Sequence, residues 1–355
     1  MEKYAVIMAG GGGTRFWPLS RESKPKQFLN LTGQDAMINE TMLRVSSIFD
    51  DESIFIVTNS EQYDILKEVA LDSLMSRNII CESMRRDTAV CIAYAAFKIF
   101  KRCGDGVMCV LPSDHYIKDE KNYNCILNKA IKYAQEHDKL VTIGIKPTFP
   151  STGYGYIKYN KSENSNIFKV EQFVEKPNYN LAKQYLDNGE YLWNSGMFVW
   201  KISTILDNFE RYLPKIYYAF KNIEKYLDTE LESAKIEELY NNISGISIDY
   251  GIMERSDDVV VIEGDFGWSD VGSFDSLSEI IKPDKNLNIV KGNHFGFDTT
   301  ECVVLGDKRL ISTIGVNNLI IVDTDDVVLV CNKQSSQDIK KMVTELKNRK
   351  MEKFL

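Results

Sequence analysis

Short apolar runs alternate with longer segments of mixed polarity through the first 145 residues. Tyr4–Met8, Ser53–Thr58, Val107–Leu111 and Leu140–Ile145 are brief and rich in β-formers, while the intervening segments, such as Asp87–Lys101, repeat their apolar positions at helical spacing. Strand followed by helix, several times over, predicts a mainly parallel sheet covered by helices. In such sheets ligands bind beyond the carboxyl ends of the strands, so the loops after Met8, Leu111 and Ile145 are expected to line one site. From Phe168 the pattern lengthens: "FKVEQFVEKP", "WNSGMFVW", a mostly helical stretch from Ile202 to Tyr240, then "SIDYGIME". After about Lys282 brief β-rich runs are punctuated by Gly-Asp, Asn-Asn and Asp-Thr-Asp-Asp turns, and a charged helix from Ser335 to Lys350 follows. The expected division is a large α/β domain over 1–282 and a small β-rich domain, ending in a helix, over 283–355.

Composition narrows the partners. A chain of 355 residues with a net charge of −8 does not present the general basic face that nucleic acid or an anionic membrane requires, so any anion site must be local. The first residues lack the apolar segment of a signal peptide, and no run reaches the roughly 18 apolar residues of a membrane span. A cytoplasmic location is the expectation. Seven cysteines, scattered and never spaced C-x-x-C, read as reduced structural thiols, and three histidines (His115, His137, His294) are too dispersed for a histidine metal centre.

The chemistry is concentrated in "MAGGGGTRFWPLSRESKPKQF", Met8 to Phe28. Four consecutive glycines give up backbone order and suit a loop that something must approach closely. Gly-rich turns after a first strand aim amide N–H groups at anions, and Arg15, Arg21, Lys24 and Lys26 add charge. A Walker A loop would close with Gly-Lys-Ser/Thr, where this chain has Thr14-Arg15. A dinucleotide fingerprint would need a third glycine at Phe16 and an acidic residue where Thr58-Asn59 stand. Both are excluded.

This stretch resembles the signature of the sugar-1-phosphate nucleotidyltransferases, and its Trp-Pro-Leu-Ser-Arg and Pro-Lys-Gln-Phe portions resemble the mannose-1-phosphate guanylyltransferase branch. "LPSDH" (Leu111 to His115), "FVEKP" (Phe173 to Pro177), "WNSGMFVW" (Trp193 to Trp200), "SIDYGIME" (Ser247 to Glu254) and "GWSDVGS" (Gly267 to Ser273) follow in the family's order. The resemblance spans essentially the whole chain. It implies a Rossmann-like nucleotidyltransferase domain with a mixed, mainly parallel sheet, a small β-helix-like C-terminal domain, and Mg²⁺-dependent transfer of GMP from GTP to mannose 1-phosphate, giving GDP-mannose and pyrophosphate. A homodimer is implied as well. Some relatives carry a further cupin domain, which the roughly 70 residues after Lys282 are too few to hold.

Residue by residue, the resemblance assigns Arg15, Lys26 and Lys176 to catalysis. Arg15 steadies the phosphates, Lys26 contacts the α-phosphate and Lys176 holds the sugar phosphate. Gly10, Gly11, Gly12, Gly13 and Thr14 cradle the triphosphate, while Glu82, Thr88 and Ala89 hold the base. A carboxylate at Glu82 accepts both guanine donors, N1–H and the exocyclic amine. Gly153, Tyr154, Glu175 and Asn194 form the sugar pocket, and Asp114 and Asp270 are the Mg²⁺ ligands, two carboxylates being enough where phosphates complete the shell. The chain departs from the family pattern at Ser83, Asp87 and Val90; the extra carboxylate of Asp87 calls for a pairing with Arg85 or Arg86. None of the four tryptophans is assigned a role, and His115 is left structural. Two alternatives stay open: another sugar 1-phosphate or NTP, or a non-catalytic nucleotide-sugar-binding homologue.

Overall fold

The computed structural model describes residues 1–161 and 166–355. The strands of the large domain are β1 (Lys3–Met8), β2 (Ile54–Asn59), β3 (Ile79–Glu82), β4 (Val107–Pro112), β5 (Tyr116–Ile117), β6 (Leu140–Ile145), β7 (Tyr156–Tyr159), β8 (Ile167–Val174), β9 (Tyr191–Lys201), β10 (Val259–Gly264) and β11 (Trp268–Ser269). The helices are α1 (Met37–Val45), α2 (Tyr63–Val69), α3 (Asp87–Cys103), α4 (Glu120–Glu136), α5 (Tyr179–Asn188), α6 (Ile202–Tyr212), α7 (Pro214–Ile223), α8 (Glu232–Asn242) and the short α9 (Leu277–Ile280). Nine strands form one sheet in the order β3-β2-β1-β4-β9-β6-β10-β8-β7. The ladders β1–β2, β2–β3, β1–β4 and β6–β10 are parallel. Strand β9 is antiparallel to β4 and β6, and β8 to β10 and β7. All but β8 and β9 therefore run the same way, which is the mixed, mainly parallel sheet of the sequence reading.

Period-two alternation explains why the strands read as unbroken apolar runs. Ala5 and Ile7 face a core built with α1 and α4, while Tyr4 and Val6 face the opposite core, built with α3, α6, α7 and α8. Both faces are covered, so neither set of positions needs polar residues. The predicted helical stretch from Ile202 to Tyr240 is the source of α6 to α8, which close one side of the sheet.

The C-terminal strands are β12 (Ile289–Lys291), β13 (His294–Phe297), β14 (Val303–Leu305), β15 (Ile311–Ile314), β16 (Leu319–Asp323) and β17 (Val328–Asn332), followed by α10 (Ile339–Asn348). Strands β12, β14 and β16 stack in parallel, as do β13 and β15, so successive coils lie one above another; β17 pairs antiparallel on β16. Val304, Ile321 and Cys302 fill the coil, whereas Ile289, Val303, Leu305, Ile320 and Val322 pack against Phe16, Trp17, Leu29 and Leu31 of the glycine-rich segment. The same segment is tied at its other face: Trp17 Nε1 and Arg21 Nη1 both donate to the Phe354 carbonyl at 2.6 Å, and Arg21 pairs with Asp326 at 2.7 Å. Among the described residues no helix is long and apolar enough to cross a membrane.

Candidate active site

The loops after β1, β3, β4 and β6 open at the same edge of the sheet and line one cavity of about 520 Å³. Sheet order spreads its walls: β3 and β1 supply one end, β4 the middle, and the β8–β9 region the other end.

At the first end Gly10, Gly11 and Gly12 line the cavity. Two buried amides hold their loop, since Gln27 Nε2 donates to the carbonyls of Ala9 and Gly11 at 3.1 Å and Gln62 Nε2 donates to Gly11 at 3.0 Å. Glu82, the last residue of β3, projects beside Gly10, and the Tyr240 hydroxyl donates to its Oε1 at 2.7 Å. Burial pushes the Glu82 carboxyl up to about 7, against the pull of the Tyr240 hydrogen bond. Thr88 lies in the first turn of α3, and its Oγ1 accepts from the Ile248 amide at 2.8 Å; Ala89 is buried and donates its N–H to the Ile246 carbonyl at 3.1 Å. Asp87 adopts φ 58°, a left-handed conformation that Asp and Asn share more readily than other side chains. The expected Asp87–arginine pairing is not formed: Arg85 pairs with Glu61 at 3.5 Å and Arg86 Nε donates to the Tyr240 carbonyl at 3.0 Å.

In the middle Lys26 joins the two aspartates. Its Nζ lies 2.9 Å from Asp114 Oδ2 and 2.5 Å from the Asp270 carbonyl. Burial resists ionisation of Asp114, but the charges of Lys26 and His115 and the Lys26 hydrogen bond outweigh it and hold the carboxyl below its usual range. Tyr154 donates to Asp270 Oδ1 at 2.9 Å, its ring packed edge-on to Trp193 and Trp268. Trp268 Nε1 in turn donates to His115 Nδ1 at 3.1 Å, and burial pushes His115 down to about 4, so the neutral ring carries its proton on Nε2. The carboxylates of Asp114 and Asp270 both line the cavity, and hard oxygen donors of this kind suit Mg²⁺, which completes its shell with water and phosphate. Among the described residues no three metal-binding side chains cluster.

At the far end stand Glu175, Lys176 and Asn194. Lys176 Nζ pairs with Glu175 Oε1 at 2.5 Å, and Asn194 Nδ2 donates to Asp249 Oδ1 at 2.7 Å. Gly155 lies close beside the carboxylate, since a Cβ there would fall 2.6 Å from Glu175 Oε2.

Most of the residues singled out from sequence meet here: Gly10, Gly11, Gly12, Glu82, Thr88, Asp114, Gly153, Tyr154, Glu175, Lys176, Asn194 and Asp270 line the cavity. Lys26 joins them through the two aspartates. Gly13, Thr14 and Ala89 are not among the lining residues, and Arg15 is exposed and outside it. Sequence reasoning missed Tyr240, Trp268, Gln27 and Asp249. Gln27, Asp249 and Trp268 carried a signal, since each lies inside a quoted motif.

A fold and a cavity of this kind define a nucleotidyl transferase, and the profile of the Nucleotidyl transferase family matches residues 4–286, with that of the MannoseP isomerase/GMP-like beta-helix domain matching residues 292–346. A mannose-1-phosphate guanylyltransferase of Salmonella muenchen is 40% identical over 345 residues, 96% of this chain and 73% of that protein. One of Escherichia coli K12 is 38% identical over 351 residues, 97% of this chain and 73% of that protein. A solved structure from Thermus thermophilus, described as a mannose-1-phosphate geranyltransferase, is 34% identical with a TM-score of 0.89, covering 98% of this chain and all of that one. The chain belongs to the mannose-1-phosphate guanylyltransferase family.

Proposed function

We propose that this protein transfers GMP from GTP to mannose 1-phosphate, forming GDP-mannose and pyrophosphate. The observation that carries the reading is the division of the cavity: a carboxylate suited to guanine at Glu82, a cation-gathering pair at Asp114 and Asp270, and a hydroxyl-binding wall at Glu175 and Asn194. An oxygen of the sugar phosphate attacks the α-phosphorus, the bond to the β-phosphate breaks, and pyrophosphate leaves. Gly10 to Thr14 cradle the triphosphate, and Lys26, held between the aspartates, meets the α-phosphate. Arg15, exposed on the same loop, steadies the phosphates when nucleotide binds, and Lys176 holds the sugar phosphate. Glu82, Thr88 and Ala89 seat the base; Gly153, Tyr154, Glu175 and Asn194 seat the sugar. Asp114 and Asp270 would hold Mg²⁺, which would supply positive charge beside the phosphates. The chain's own contribution is alignment of two anionic substrates that otherwise repel.

The catalytic domain is taken as 1–282 and the β-helical domain as 283–355. A homodimer is supported by Phe295, Phe297 and Ile314, which stand exposed together on the β13–β15 ladder. Free thiols at all seven cysteines support the cytoplasm, and the net charge of −8 supports partners other than nucleic acid or membrane. The test is pyrophosphate release from purified protein with GTP, Mg²⁺ and mannose 1-phosphate beside glucose 1-phosphate and ATP controls. Release with another pair alone overturns the substrate assignment, and release with none overturns the enzyme.

A further inference from the structure

We propose that Tyr240 is a positioning residue for base selection: its hydroxyl holds the Glu82 carboxylate in the orientation that offers both oxygens to a purine edge carrying two adjacent donors. The inference rests on the reading of Glu82 as the acid that seats the base, and extends it to a residue behind the cavity wall. Tyr240 is fully buried, and its hydroxyl donates to Glu82 Oε1 at 2.7 Å. The other oxygen, Oε2, is turned to the glycine loop, where a Cβ at Gly10 would stand 3.6 Å from it. A carboxylate has about four acceptor sites, so Oε1 keeps capacity for a ligand while the Tyr240 bond stops the group from rotating.

The hydroxyl is itself firmly placed, because α8 is pinned to α3 and its approaches at both ends. At the start of α8, Glu232 pairs with the buried Lys98 ammonium and accepts from the Tyr94 hydroxyl at 2.6 Å. Near its end, the Tyr240 carbonyl accepts from Arg86 Nε at 3.0 Å. Just beyond, the Gly245 backbone passes so near Arg86 that a Cβ there would fall 2.9 Å from the Arg86 carbonyl oxygen. The Ile246 carbonyl and Ile248 amide then bond Ala89 and Thr88. The loop from Glu82 to Ala89 thus takes its shape from α8 and the residues after it. A polar group fixed before the ligand arrives discriminates better than a mobile one.

Among the described residues Glu82 has no ion-pair partner, so this hydroxyl is the donor that favours its charged form. The cations around it are engaged elsewhere: Arg85 with Glu61, Arg86 with the Tyr240 carbonyl, and Lys98 with Glu232 and Asp228. Asp87 shares the main cavity with Glu82, and Glu230, Glu232 and Glu237 line the pocket on its other side. Burial pushes the thiols of Cys81 and Cys91 and the hydroxyls of Tyr94 and Tyr240 upward, so all four stay neutral where Glu82, raised to about 7, ionises. Removing the Tyr240 hydroxyl therefore raises the Glu82 carboxyl further and frees it to swing.

The test compares Tyr240→Phe, which deletes only the hydroxyl, with the parent protein. Carboxyl-carbon NMR follows the titration of Glu82, its signal identified by its loss in Glu82→Gln, and kcat/KM is measured against pH for GTP and for inosine triphosphate, which lacks the exocyclic amine. The expected result is a Glu82 midpoint moved to higher pH, a loss of about tenfold in kcat/KM for GTP near neutrality, a reduced preference for GTP over inosine triphosphate, and an unchanged KM for mannose 1-phosphate. A fluorinated tyrosine at position 240, whose hydroxyl is a stronger donor, moves the midpoint the other way and carries the test if Tyr240→Phe does not fold. An unmoved midpoint would overturn the proposal, and so would a moved midpoint with unchanged nucleotide preference; a lower melting temperature alone would leave Tyr240 a packing residue. The parent protein's failure to turn over any pair would defeat the enzymatic reading separately, and the Glu82 titration with calorimetry of the two nucleotides would still decide Tyr240.

Discussion

The Lys26 ammonium meets the Asp114 carboxylate at 2.9 Å, with the lysine side chain 6% exposed and the aspartate 35%. Lys26 is thus an internal cation held where positive charge is wanted during reaction. Replacing it by alanine leaves Asp114 without its nearest counter-charge. Unfolding stability is expected to fall by about 3 kcal/mol, the low end for one partner removed from a buried pair, because the aspartate keeps contact with water. If Mg²⁺ binds Asp114 and Asp270, it will raise the melting temperature of Lys26→Ala more than that of the parent protein, since the ion takes over the missing charge. Equal shifts in the two proteins would place the ion elsewhere.

Glu82 sets a pH dependence. Its carboxyl, raised to about 7 in the free protein, is substantially protonated in mildly acidic solution, whereas guanine's two donors require the ionised form. The value of kcat/KM for GTP is therefore expected to rise from about pH 6 to about pH 8 and then level, while Glu82→Gln gives a low, flat profile. The stability effect has the opposite sense. A carboxyl raised on folding stabilises the folded state fully below its unfolded value and loses that contribution as pH rises through about 7. A kcat/KM profile for the parent protein that is flat across this range would remove Glu82 from base recognition.

The basic residues of the signature loop separate only in three dimensions. Arg21 Nη1 and Trp17 Nε1 share the Phe354 carbonyl, and Arg21 reaches Asp326, so this arginine ties the loop to the C-terminal domain. Arg15 lies exposed six residues earlier. Arg21→Ala is expected to lower stability by about 1–3 kcal/mol, and Arg15→Ala to leave the melting curve unchanged while reducing turnover. Thermal unfolding and pyrophosphate release measured on both variants check the contrast; matching effects in the two would sink it.

That contrast marks where the sequence stops being legible. The apolar runs located β1, β2, β4 and β6 to within a residue or so at each end, because each strand is buried on both faces and its hydrophobic run has no other reading. The quoted motifs also located much of the cavity. Arg15 and Arg21 look alike in sequence, and what parts them is a contact more than 300 residues away along the chain. Tyr240 shows the same limit: on α8 it reads as one more core aromatic, and only the packing of α8 under β3 brings its hydroxyl to Glu82. The Asp87 departure needed the backbone as well, since its left-handed φ accepts Asp and Asn alike.

The four glycines do different work. Gly13 has φ +56°, and a Cβ there would fall 2.6 Å from the Lys26 backbone nitrogen and 2.5 Å from its Cβ. Neither neighbour can move without disturbing the Lys26–Asp114–Asp270 arrangement. Gly11 has open space where its Cβ would be and lines the cavity. Gly13→Ala is expected to unfold at markedly lower temperature, combining a strained conformation of about 1–2 kcal/mol with a steric clash. Gly11→Ala should melt like the parent protein yet bind GTP more weakly, because the methyl group stands where a phosphate must approach the backbone. Thermal unfolding and nucleotide titration on both variants separate the two roles. If Gly11→Ala bound GTP normally, the triphosphate would have to pass the loop without touching Gly11, and the run of glycines would be explained by Gly13 and its close contact with Lys26.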